Sequence, residues 1–166
     1  MCMLKGHLNI DNSALMKKCL ELSKIIHVEP GGYFINVIDS HFLNPNDPHS
    51  NPHRWPEFQP VMDHLKSLVE DPSEITKSWF NVTLNGGVMK DHIHFQSPHS
   101  VFVYYINCNP DHPHLEFLVD DKWIESPCVS GDWLLFPKLL HHRVPENNST
   151  SDRISISINI GKPKEL

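Results

Sequence analysis

The spacing of apolar residues changes character once along the chain. Behind Asn12 and Ser13, two capping candidates, Leu15, Met16, Cys19, Leu20, Leu22, Ile25 and Ile26 recur at helical spacing and predict an amphipathic helix over residues 12 to 27. Phe58, Val61, Met62, Leu65, Leu68 and Val69 share one helical face and predict a second helix from Pro56 to Val69, stopped ahead of Asp71-Pro72. Between the two, from Glu29 to Pro60, prolines, asparagines and histidines dominate, and the apolar stretch Tyr33 to Ile38 alone suggests a strand. Irregular segments of that length often line a site.

After residue 75 the pattern becomes short β-rich runs divided by turn residues: 77 to 84, 88 to 94, 100 to 107, 114 to 119, 122 to 125, 131 to 136, 140 to 144 and 152 to 160. That number of strands suits a small barrel or sandwich. No interval between them is long enough for a crossover helix, which argues against a βαβ fold. The last run is the clearest. Ile154, Ile156, Ile158 and Ile160 face one way, under the helices, while Arg153, Ser155, Ser157 and Asn159 face the other. A plain sandwich would bury a second apolar layer there, whereas a barrel with a ligand-holding interior accounts for a polar one. The chain reads as a single domain over 1–166, with a helical and irregular part over 1–74 and a mainly β core over 75–162.

Composition narrows the function. A domain of 166 residues buries a core large enough to need no disulfide. Its 14 Lys+Arg against 20 Asp+Glu give a net charge of −6 with no basic block, which argues against nucleic acid as a partner. No apolar run approaches a membrane span and no signal peptide opens the sequence, so a soluble, cytoplasmic protein is expected. Cys2, Cys19, Cys108 and Cys128 form no CxxC pair and suggest reduced, packing thiols rather than a zinc knuckle or disulfide framework. Histidine, at 13 residues, is the outlier of the composition, and it is the commonest metal ligand.

Three elements carry chemistry. His92-Ile93-His94 lies on a predicted strand, where residues two apart share a face, so the pair forms half of a metal site or two solvent-facing side chains of an edge strand. The run Gly131 to Pro145 carries His141 and His142, only one of which can join that face. Arg153 lies eleven residues after His142 on the polar face of the last strand. An interior arginine calls for an anion, either a bidentate ligand carboxylate or a neighbouring Asp152 or Glu146.

Taken together, Trp79-Phe-Asn81, Gly86-Gly87, His92-Ile-His94, Tyr104-Tyr-Ile, Leu115-Glu-Phe117, Gly131-Asp-Trp-Leu-Leu-Phe-Pro137, His142-Arg-Val-Pro145 and Arg153 to Asn159 resemble the iron(II)- and 2-oxoglutarate-dependent oxygenases, closest to short members that share features with prolyl hydroxylases. The resemblance covers roughly residues 75 to 162. It implies a double-stranded β-helix, a jelly-roll or cupin-like barrel, with iron(II) as cofactor and 2-oxoglutarate as co-substrate. Carried over by position, it implies His92, His94 and His142 as metal ligands and Arg153 as the anchor of the keto acid's distal carboxylate. His142 is preferred to His141 because His-Arg-Val-Pro resembles the family's distal segment. Ser155, Asn81 and Tyr105 are expected to hydrogen-bond the co-substrate from the pocket wall, with a satisfied sheet residue as the plainer reading of each.

Position 94 departs from the family, which has an aspartate there in most members. The change leaves the site one negative charge poorer, raising its redox potential and altering its preference among metals. A working three-histidine centre, a carboxylate from Asp91 or Glu116, or an open second position with His94 held outside the coordination sphere all follow from the sequence. Family chemistry implies oxygen as the third reactant and an unidentified small molecule or peptide as substrate. The rivals are a three-histidine cupin-type dioxygenase that needs no keto acid, a metal-stabilised or structural barrel, and, more weakly, a zinc hydrolase without an evident general base.

Overall fold

The computed structural model describes residues 3–26, 34–41, 43–44 and 46–164. The two helical patterns form α1 (Ser13–Ser23) and α2 (Gln59–Leu68). Helix α1 stops earlier than its apolar spacing predicts, tightening into a turn in which the Ile25 and Ile26 N–H groups both donate to the Leu22 carbonyl. Ile25, the pattern's penultimate member, is exposed. Asn12 does not cap the helix with its side chain: it donates to the Ile106 carbonyl and accepts the Tyr104 hydroxyl at 2.9 Å, while Asp11 takes the Ser13 N–H. The second helix is preceded by 3-10 turns at Pro52–Arg54 and Pro56–Phe58, each opened by proline where no N–H is needed.

Nine strands follow the alternating pattern: β1 (Leu4–His7), β2 (Phe34–Asp39), β3 (Lys77–His92), β4 (Ser100–Asn107), β5 (Leu115–Val119), β6 (Lys122–Ser126), β7 (Asp132–Pro137), β8 (His142–Val144) and β9 (Arg153–Ile160). Strand β2 agrees with the expected stretch except at Tyr33, which with residues 27–32 lies outside the described residues. Strand β1 was not expected, since a four-residue edge strand with alternating partial burial leaves too short a pattern to read.

All pairings are antiparallel, in the order β1-β7-β4-β9-β3-β8-β5-β6 with β2 added to β3. Strand β3 curls the sheet: Lys77–Thr83 pair with β9, then Met89 and His92 pair with β8. Sequence patterning splits this strand at Gly86-Gly87, but the chain continues through a bend. Gly86 has φ +73, opposite Asn36 at φ +48, and a Cβ on Gly87 would lie 2.7 Å from the Asn36 carbonyl oxygen. The glycine pair thus marks close backbone approach rather than a turn.

The two faces of β9 separate two environments. Ile154, Ile156, Ile158 and Ile160 are fully buried in one apolar cluster with Leu15, Cys19, Val61 and Leu65 of the helices. Trp55 and Phe58 belong to that cluster, and the Trp123 ring centre lies 4.1 Å from the Arg143 guanidinium. Arg153, Ser155, Ser157 and Asn159 are also buried, on the concave side.

Candidate metal centre

His92 closes β3, His142 opens β8, and the two face each other directly across the antiparallel ladder with ring centroids 4.2 Å apart. His94 departs from the expectation that it shares the strand. The chain leaves the ladder after His92, and the His94 N–H donates to the Lys138 carbonyl at 2.8 Å. Its ring still turns inward, stacking on Trp79 at 5.5 Å and lying parallel to the His142 ring at 5.0 Å. The Nε2 atoms of His94 and His142 are 3.1 Å apart, and one ring nitrogen from each of the three histidines lies within 4.8 Å of the others.

Their outer contacts fix which nitrogen is free. Nδ1 of His92 donates to the Lys90 carbonyl at 2.7 Å and Nδ1 of His142 donates to the Leu140 carbonyl at 2.8 Å. Both rings therefore carry their proton on Nδ1 and present the Nε2 lone pair, the arrangement a metal-ligating imidazole needs. Burial disfavours the charged form of all three, taking His94 down to about 3 and His92 and His142 below the ordinary histidine value, with the mutual proximity of the rings adding to the effect at His94 and His142. At neutral pH the trio is unprotonated and ready to ligate.

His141 points away: its Nδ1 pairs with Asp91 at 2.9 Å, and both groups are about half exposed. Glu116 pairs with the Arg143 Nε at 2.6 Å. Neither carboxylate reaches the trio, and among the described residues no acidic side chain joins it.

Arg153, 1% exposed, sits opposite Thr83 in the β3–β9 ladder with its guanidinium 5.1 Å from the centre of the Tyr105 ring. Asp152 and Glu146 do not pair with it, and among the described residues it makes no ion pair. Its Nε, the Tyr105 hydroxyl, Asn81 Oδ1, Thr83 Oγ1 and Asn159 Oδ1 are buried without hydrogen-bond partners. Asn81 lies opposite Ser155 and donates through Nδ2 to Ser157 at 3.3 Å. A single cavity is lined by Asn81, His92, His94, His142, Arg153 and Ser155 together. It adjoins a mouth of about 220 Å³ walled by Phe34, His41, Trp79, Ile93, Phe95 and Gln96 among others. Sequence reasoning gave no role to Trp79, which supports His94; its position two residues before Asn81, on the same strand face, was the available signal. His112, in the loop after β4, is tied to Ser151 Oγ at 2.8 Å.

No protein-family model matches the chain, and no curated protein is similar to it in sequence. Solved structures are similar. A prolyl-4-hydroxylase from Pseudomonas putida superimposes with a TM-score of 0.67 at 12% identity, covering 96% of this chain and 92% of the other. HygX from Streptomyces hygroscopicus, with nickel and 2-oxoglutarate bound, gives 0.67 at 11% identity over 96% and 82% of the chains. A Trichoplax adhaerens prolyl hydroxylase in complex with a hypoxia-inducible-factor peptide gives 0.66 at 16% identity over 97% and 83%. The fold is that of the 2-oxoglutarate-dependent iron oxygenases. The curled sheet and its two helices are accordingly a jelly roll of the prolyl-hydroxylase kind, as the sequence resemblance implied, and at these identities the likeness speaks for the fold alone.

Proposed function

We propose that this protein is an iron(II)- and 2-oxoglutarate-dependent dioxygenase that hydroxylates a small-molecule or peptide substrate. The observation that carries this reading is a fully buried arginine that no acidic side chain pairs among the described residues, in the same cavity as three imidazoles whose ring nitrogens converge within 4.8 Å. Burying a guanidinium with no carboxylate beside it is costly, and a ligand carboxylate is the partner that offsets it. The residues fit the pair of cofactors: His92, His94 and His142 would hold the metal, Arg153 the distal carboxylate of the keto acid, and the unpartnered Tyr105, Thr83 and Asn81 its remaining oxygens. With oxygen as oxidant, bound iron(II) and 2-oxoglutarate would supply oxidative decarboxylation of the keto acid to succinate and carbon dioxide, one oxygen atom entering succinate and the other a C–H bond of the substrate. The chain's part is positional. Lys90 and Leu140 carbonyls hold the ligating rings in one tautomer, Trp79 braces His94, and Phe34 and Met89 help to keep water from the cavity. Phe95, 77% exposed at the mouth, is placed to meet the substrate.

A three-histidine dioxygenase independent of the keto acid would leave Arg153 without a purpose. An anaerobic titration of the protein with iron(II) and 2-oxoglutarate separates the two. The proposal expects the visible charge-transfer band of a chelated keto acid, lost in His142→Ala; tight iron binding without that band would overturn it in favour of the rival.

A further inference from the structure

A second cluster of metal-binding side chains lies apart from the three histidines. Cys108, one residue past β4, His114, one residue before β5, and Cys128, between β6 and β7, bring two Sγ atoms and a ring nitrogen within 4.8 Å of one another. Both cysteines are free thiols and both are buried, 2% and 3% exposed. The Sγ atoms are 3.6 Å apart and Cys128 Sγ is 3.5 Å from His114 Nδ1. Around a tetrahedral zinc ion with bonds of about 2.3 Å to sulfur and 2.0–2.1 Å to nitrogen, the sulfur–sulfur edge is about 3.8 Å and the sulfur–nitrogen edge about 3.6 Å. These two edges therefore match those of a zinc polyhedron before any metal is present.

The local hydrogen bonds also prepare the ligands. The backbone N–H of Cys128 donates to His114 Nδ1 at 3.3 Å, so this nitrogen carries no proton of its own, and an ion would take over the lone pair that this long bond now uses. The Cys108 Sγ also lies 3.4 Å from the Cys128 carbonyl oxygen, so both thiols and the ring are held in one compact cluster. Backbone bonds brace the cluster: the Cys108 N–H donates to Ser130 Oγ and the Ser130 N–H to the Cys108 carbonyl at 2.8 Å.

We propose that Cys108, His114 and Cys128 form a second metal site, for a thiophilic cation, zinc(II), with water in the fourth position. It lies beside Tyr105 and Arg153, both close enough to interact with its thiols. The site ties the end of β4 to the segments flanking the β5–β6 hairpin, which among the described residues pairs with the rest of the sheet through the short β8.

Cobalt(II) titration of the reduced full-length chain tests this, because thiolate-to-cobalt charge transfer in the near ultraviolet arises from cysteine ligands and not from an all-histidine site. The expected result is two equivalents bound, one of them carrying the thiolate band and displaced by zinc(II). Cys128→Ser should remove that band and one equivalent, while His142→Ala should remove the other equivalent and leave the band. His114→Ala, at a partly exposed position that leaves both thiols in place, should weaken the band-forming site by tenfold or more and guards against a folding defect in the cysteine variant. Absence of a thiolate band in the wild-type chain would overturn the proposal. So would a band that survives both Cys128→Ser and His114→Ala.

Discussion

Arg153 and His53 show how burial of a single cationic or titratable group sets measurable behaviour. Removing the guanidinium of Arg153 takes away the charged partner of a desolvated carboxylate, a loss of about 2–5 kcal/mol. Arg153→Ala should therefore weaken 2-oxoglutarate binding by roughly thirtyfold or more while iron(II) affinity stays near that of the wild type, both read by anaerobic titration. His53 is held at about 4, mainly by burial, with its Nδ1 2.8 Å from the Ser78 hydroxyl. The unfolded chain takes up a proton at this residue near 6.5 and the folded chain only near 4, so between those values the unfolded state binds more protons. The stability that the neutral ring confers is then complete above 6.5 and is lost as pH falls through that window. Urea denaturation at pH 7 and pH 5 should show His53→Gln losing less stability on acidification than the wild type. At His94, the reading of a strand residue failed while the inward aim held. The ladder ends at His92, and the turn that follows, fixed by the Lys138 carbonyl and the Trp79 ring, delivers the imidazole to the same place.

Among the elements, the bend of β3 shapes the molecule most. Asn147 clamps it: its backbone exchanges hydrogen bonds with Gly86 and Gly87 at 2.7 and 2.9 Å, and its buried Nδ2 donates to the Thr83 and Ser151 carbonyls. Asn147→Ala leaves those carbonyls without this donor and should destabilise the protein by about 1–3 kcal/mol in urea denaturation. Strand β9 was legible almost to the residue because period-two alternation of isoleucine with polar residues has a single structural meaning. The glycine pair was not, since a bend and a turn leave the same signature in sequence; what distinguishes them is Asn36 on a strand far away along the chain. The Cys108, His114 and Cys128 cluster was invisible for a related reason. Its members are spaced as no local metal motif is, and folding alone makes them neighbours.

At the scale of the whole molecule, two separate stretches of chain supply the histidines: residues 92 to 94, where β3 runs into the turn after it, and the start of β8. A metal that binds this arrangement and not the unfolded chain stabilises the fold by mass action, about 2.7 kcal/mol at a hundredfold excess over Kd. For a domain of this size that corresponds to a rise in Tm of roughly 5–11 °C with iron(II) under anaerobic conditions, and the rise should shrink in His142→Ala. The order of strands carries a consequence for biosynthesis. Strand β9 lies between β3 and β4 in the sheet although both precede it by long stretches of chain. Its two flanking neighbours leave the ribosome with facing edges exposed and nothing to join them, so the polar chamber and the isoleucine layer beneath the helices come into being in one late step. A nascent chain stalled ahead of Arg153 would hold two half-sheets open to other chains, the kind of exposed edge that invites aggregation.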